Sequence, residues 1–154
     1  MPESTHDDYS RELCRRHAGP LLILASVLLD DFALADDIVV CALAAASRDH
    51  RNETPVDRET RAALARSVYH RCLGQLAIAE RFPELTRPTA DRPRSPFDRM
   101  SADQRAMVAL VVFGGHDIAQ AAATLRLPVS AVAHRLGLML SGTPQRARHA
   151  AAQR

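Results

Sequence analysis

The chain has 154 residues, enough for one ordinary domain or two small ones. Hydrophobic residues make up 47% but aromatics only 4%, with no Trp, so a core must be built from Leu, Val, Ile and Ala, of which Ala and Leu favour helix. The net charge of +2 is a modest electrostatic footprint, and the longest strongly apolar stretch, Pro20 to Leu29, is far too short to span a bilayer, which excludes a transmembrane protein.

Residues 1–8 are polar and acidic, without the charged-then-apolar pattern of a signal peptide, and predict a flexible leader on a cytoplasmic protein. From Tyr9 the pattern turns helical. Leu13, His17, Leu21, Leu24 and Leu28 recur at intervals of three and four. Gly19-Pro20 interrupts this stripe, and a proline there predicts a kink or a restart. A second helix is predicted from about Ala33 to Arg48, its inner face using Leu34, Ile38, Cys41 (or Val40) and Leu43-Ala44. Asp36 and Asp37 fall in its predicted first turn, where carboxylates favour the positive end of the helix dipole. Asp49 to Asp57 reads as a loop. A third helix, Asp57 to Ala79, carries Leu64, Val68, Cys72, Leu76 and Ala79 on one face.

Between Pro83 and Pro96 four prolines stand among Arg, Thr and Asp, a composition that predicts a semi-rigid linker over residues 83–100. It separates a helical domain, residues 9–82, from a second one, residues 101–142. Up to Phe82 ten Arg face thirteen acidic residues, net −3; from Pro83 onward ten Arg face five, net +5. A basic C-terminal part is permissive for nucleic acid. All twenty basic residues are Arg, which codon usage in a GC-rich genome accounts for.

Ser101, with Gln104 three residues on, has capping-box spacing before an apolar helix that ends at Gly114-Gly115. Asp117 is a suitable cap for the next helix, to about Leu125. Arg126-Leu127-Pro128 forms a short turn, and a last helix runs to Leu140, where Ser141-Gly142 and Pro144 predict its end. Residues 143–154 form a basic tail. The two helices around this turn have the spacing of a helix-turn-helix. Small Ala121 and Ala122 would let the helices cross closely, with Ile118 and Leu125 packing on Val132 and Leu136. The second helix would then present Ser130, Ala131, Ala133, His134 and Arg135 to a major groove, with Arg126 beside them.

Cys14, Cys41 and Cys72 have no metal-ligand spacing and predict buried free thiols in a reducing cytosol. No phosphate loop, nucleophile–base arrangement or zinc motif stands in the chain, so neither a cofactor nor an enzymatic activity is expected.

The C-terminal run resembles region four of extracytoplasmic-function sigma factors. The resemblance is carried by Met100 to Ala106, Val108 to Gly115, Asp117 to Ala122, Leu127 to Val132 and Arg135-Leu136, about forty residues. The N-terminal part is similar, more loosely, to region two, through Leu13, His17, Leu21, Leu22 and the stretch Ala35-Asp36-Asp37-Ile38-Val39. The resemblance implies an all-α fold with a region-two-like bundle, a linker and a helix-turn-helix domain. It further implies a bacterial transcription factor whose partners are RNA polymerase core, through Asp36, Asp37, Ile38 and Val39, and double-stranded promoter DNA, with an anti-sigma protein as a further regulatory partner. Three departures are visible. Polar residues expected after Val39 are replaced by Val40, Cys41 and Ser47; the third helix, which in the family melts and reads the promoter, offers only Arg66, Tyr69, His70 and Arg71; and the recognition helix keeps Arg135 as its sole cation. These leave two alternatives open: a degenerate sigma-like protein that acts through protein contacts, as a homodimer or on a partner regulator, and a stand-alone dimeric helix-turn-helix regulator.

Overall fold

The computed structural model describes residues 3–49, 56–85 and 95–151, with side chains described over 6–49, 56–85 and 95–141. Among these residues the chain is all-helical, with no strand. Helix α1 spans Glu3–Leu28, α2 Phe32–Arg48 and α3 Arg58–Arg81; short 3-10 turns occupy Pro83–Leu85 and Pro96–Arg99; α4 spans Ala102–Val108 and continues as a π-helical turn, Ala109–Phe113; α5 spans Ile118–Leu125 and α6 Val129–Ala151. No described helix is long and apolar enough to cross a membrane.

The α1 stripe is the spine of the core. Leu13, His17, Leu21, Leu24 and Leu28 are all buried, packed against Ile38, Val39, Ala42 and Leu43 of α2 and Leu64, Val68 and Cys72 of α3. Several expectations need correction. Helix α1 begins at Glu3, not near Tyr9. Pairs at helical spacing support its first turns: Arg11 with Asp8 at 2.8 Å, and Glu12 with both Arg15 and Arg16. The hydrogen bonds from Arg15, with Arg16 beside it, hold the Glu12 carboxyl down to about 2. Nor does Pro20 end the helix. A proline leaves the carbonyl four residues earlier without its amide donor; here that carbonyl, on Arg16, accepts from Arg61 Nη2 of α3 at 3.3 Å. A partner outside the helix thus takes over the missing bond.

Helix α2 starts at Phe32, one residue earlier than predicted, because Asp31 caps it, accepting from the Leu34 amide at 3.0 Å. Asp36 and Asp37 therefore fall in the second turn, beyond the reach of the helix-terminus effect expected of them. Val40 and Cys41 are exposed, and the inner face uses Val39 and Ala42 instead. On α3, Leu76 is exposed, since the helix runs on past the bundle. Of the three thiols only Cys72 is buried, pushed up to about 12 by desolvation; Cys14 and Cys41 lie at the surface. Helix α6 runs past Ser141, Gly142 and Pro144 to Ala151.

Half of the predicted linker, residues 86–94, lies outside the described residues. The helices on either side of it share one interior. Ala106, Ala109, Leu110 and Ala121 belong to the same buried cluster as α1, α2 and α3. A smaller cluster, Met107, Ala122, Val132 and Leu136, holds α4, α5 and α6 together. Gly114 closes the join, because a Cβ there would sit 2.9 Å from Ala65 Cβ of α3 and 2.7 Å from the Leu110 carbonyl oxygen.

Candidate nucleic-acid interface

Both helices of the α5–α6 corner are set by local chemistry. Asp117 caps α5, accepting from the Gln120 amide at 2.7 Å, and the Gln120 side chain returns the bond to the Asp117 amide at 2.9 Å. The Ser101–Gln104 pair does the same for α4. At the far end of α5 the chain closes as a Schellman motif: the Leu127 amide reaches the Ala122 carbonyl at 3.0 Å and the Arg126 amide reaches that of Ala123 at 3.3 Å. Leu127 packs on the cluster that contains Ala122. Arg126 sits at the left-handed position of this motif, φ 56° and ψ 41°, the sole non-glycine residue with positive φ among the described residues. Glycine is the usual occupant, because a Cβ costs about 1 kcal/mol there.

The Pro128 carbonyl then accepts from the Ala131 and Val132 amides and starts α6. Val132 and Leu136 point inward. On the outer side Ser130, Ala133, His134 and Arg135 are exposed, Ala131 is half-buried, and Arg126 is exposed at the turn. The six residues singled out for DNA therefore lie on the turn and the first turns of α6. Two details differ from expectation. Ile118 is exposed and outside the α4–α6 cluster, where Met107 takes the place predicted for it. Arg135 Nη1 lies 3.7 Å from Asp103 Oδ2 of α4, so the one arginine among the described side chains of α6 is already facing a carboxylate.

The four residues singled out on α2 divide. Asp36 and Asp37 are exposed, whereas Ile38 and Val39 are buried in the core and present no surface to a partner. The inward turn follows from the helical period, which sets Ile38 and Val39 on one face with buried Ala35, Ala42 and Leu43.

A second feature escaped the sequence. Between α3 and α5 lies a polar cleft of about 510 Å³, walled by Arg66 and His70 on one side and by Gln120, Thr124 and Arg126 on the other, with Glu59 and His116 also lining it. His116 is almost fully buried, with Nδ1 3.4 Å from the Gly114 carbonyl oxygen. Burial, with the Arg66 charge nearby, holds its imidazole below the usual range. The four-residue spacing of Arg66 and His70 was a visible signal of a shared face; their meeting with Arg126, sixty residues on, was not.

Comparison with family models, with curated proteins and with solved structures finds no match for this chain.

Proposed function

We propose that this chain is a sigma-factor-like transcription regulator, with a helix-turn-helix formed by α5, its turn and α6 that enters the major groove of promoter DNA, and with α2 as the contact for RNA polymerase core. The observation that carries the proposal is the α5–α6 corner. It has a first helix capped at both ends, a three-residue turn, small Ala121 and Ala122 at the crossing, and the N-terminal outer face of α6 free of packing. The region-four and region-two resemblances add the polymerase half. On that half the surface is narrower than four residues. Asp36 and Asp37 carry it, with exposed Val40 beside them, while Ile38 and Val39 hold the helix in place from inside.

The electrostatics set the strength. Each phosphate neutralised adds to affinity and to its salt dependence, and this face offers Arg126 and Arg135 with Asp103 close by. Duplex binding by the protein alone is therefore weak, and polymerase supplies the rest. Removing the carboxylate tests the point. Asp103→Asn frees Arg135 and raises duplex affinity by about two- to fivefold, the range of a surface ion pair; Arg135→Ala lowers it by about tenfold. Fluorescence anisotropy with a duplex selected from random DNA reads both. Equal affinities for wild type and both variants would remove α6 from the interface.

The same ion pair favours a second reading, a degenerate sigma-like protein acting through protein contacts, as a homodimer or on a regulatory partner. Its mark would be complex formation with a protein and no footprint at any promoter.

A further inference from the structure

The α3–α5 cleft is independent of the groove-reading face of α6 and has its own chemistry. Arg66 enters it from α3 and Arg126 from the turn after α5. Neither guanidinium has a side-chain hydrogen bond or an ion pair among the described residues. Their neighbours Arg58 and Arg61 are occupied: Arg58 Nε donates to the Gly115 carbonyl at 3.0 Å, and Arg61 donates to His17 Nδ1 and to the Arg16 carbonyl. Neither of these two lines the cleft. One acid, Glu59, lines the cleft against two guanidiniums, with neutral donors from Gln120 and Thr124 and the imidazole of His70. Two unpaired cations facing one hollow repel each other, and an anion between them relieves that repulsion.

The backbone supplies a second observation. Arg126 holds its side chain at this mouth at the expense of a left-handed conformation that glycine adopts freely. Strain of this kind persists where the side chain has a task. A metal does not fit the lining, since no group of three or more His, Cys, Asp or Glu among the described residues is placed to hold one. The volume, about 510 Å³, suits a small molecule. Forked guanidiniums match phosphate oxygens, two bonds at a time.

We propose that the cleft between α3 and α5 is a binding site for a small phosphate-bearing anion, clamped by Arg66 and Arg126. The ligand would tie the N-terminal bundle to the α5–α6 corner. The site shares Arg126 with the proposed DNA face, whereas Arg66 belongs to the cleft alone, so the Arg66 variant separates this proposal from the transcription reading.

The test is calorimetric titration of the full chain with inorganic pyrophosphate. One saturable site is expected. Arg66→Gln and Arg126→Gly each weaken it about tenfold or more, the usual loss for a charge-assisted contact. Arg71→Gln, exposed on α3 but outside the cleft, leaves it unchanged. Misfolding cannot account for the Arg126→Gly loss if its thermal midpoint is at or above that of wild type, as relief of the strained φ predicts. Failure of wild type to saturate, or equal binding by all four proteins, overturns the proposal. A short random-sequence duplex forms the second arm. If it displaces pyrophosphate, and Arg66→Gln weakens duplex and pyrophosphate by the same factor, the phosphate belongs to a nucleic-acid backbone and the small-ligand assignment is overturned.

Discussion

Arg61 illustrates how single side chains hold this molecule together. Its guanidinium supplies the donor that Pro20 withdraws from the Arg16 carbonyl, and it also reaches the buried His17 at 3.2 Å. Truncation leaves the ring nitrogen of buried His17 and the Arg16 carbonyl without this donor. Arg61→Ala is therefore expected to cost about 2–3 kcal/mol, measured as a drop in unfolding free energy by urea titration, whereas Arg71→Ala, exposed on the same helix, costs almost nothing. The two buried histidines make the fold sensitive to acid. Desolvation, aided by nearby Arg charges, lowers His17 and His116 below 6.5. Above pH 6.5 both are neutral in the native and unfolded states, and their neutral burial contributes fully. As pH falls from 6.5 through the lowered native values, the unfolded chain takes up protons that the native state resists, and stability falls. Glu12 and Asp57, whose lowered values matter only below about 4.5, do not act in this window. Urea midpoints should therefore decline between pH 7.5 and 5, and the His17→Gln/His116→Gln variant should flatten the decline. The helix caps Ser101 and Asp117 were legible in sequence because a cap acts within three residues. The task of Arg61 was not, since its partners His17 and Arg16 lie more than forty residues away.

At the scale of elements, the sequence located most helices well and their ends less so. The α1 stripe was readable from its period, and Asp117-to-Leu125 matched α5 closely. One failure has its cause outside the local window: continuation through Pro20 depends on Arg61 of another helix. The π-helical turn Ala109–Phe113 was also invisible, because a wide turn of this kind is fixed by what packs around it. It delivers Gly114 against α3, where a methyl group would meet Ala65 Cβ at 2.9 Å and the Leu110 carbonyl at 2.7 Å. Gly114→Ala should accordingly destabilise by about 1–3 kcal/mol, read by thermal unfolding, while Gly137→Ala, with open space around it, should be neutral or stabilising.

Across the whole molecule, one buried cluster spans the helices on both sides of residues 86–94. Such a shared interior predicts one cooperative unfolding transition. The thiols report it directly. Cys14 and Cys41 should react with a thiol reagent in the native protein, and Cys72, buried and held near 12, only at the rate of global opening. Labelling of Cys72 well before the α5–α6 corner melts would show instead that the two halves open separately. The shared core also frames the proposed function, because α5 is anchored to the bundle through Ala121 while α6 keeps its outer face free. That arrangement would couple a polymerase contact on α2 to a DNA contact on α6 through one rigid interior. The most direct test is reconstitution with bacterial RNA polymerase core and genomic upstream fragments. The account predicts co-elution with core that weakens in Asp36→Lys/Asp37→Lys, together with initiation at defined promoters that Arg135→Ala diminishes. Failure to bind core and to initiate at any promoter would contradict it.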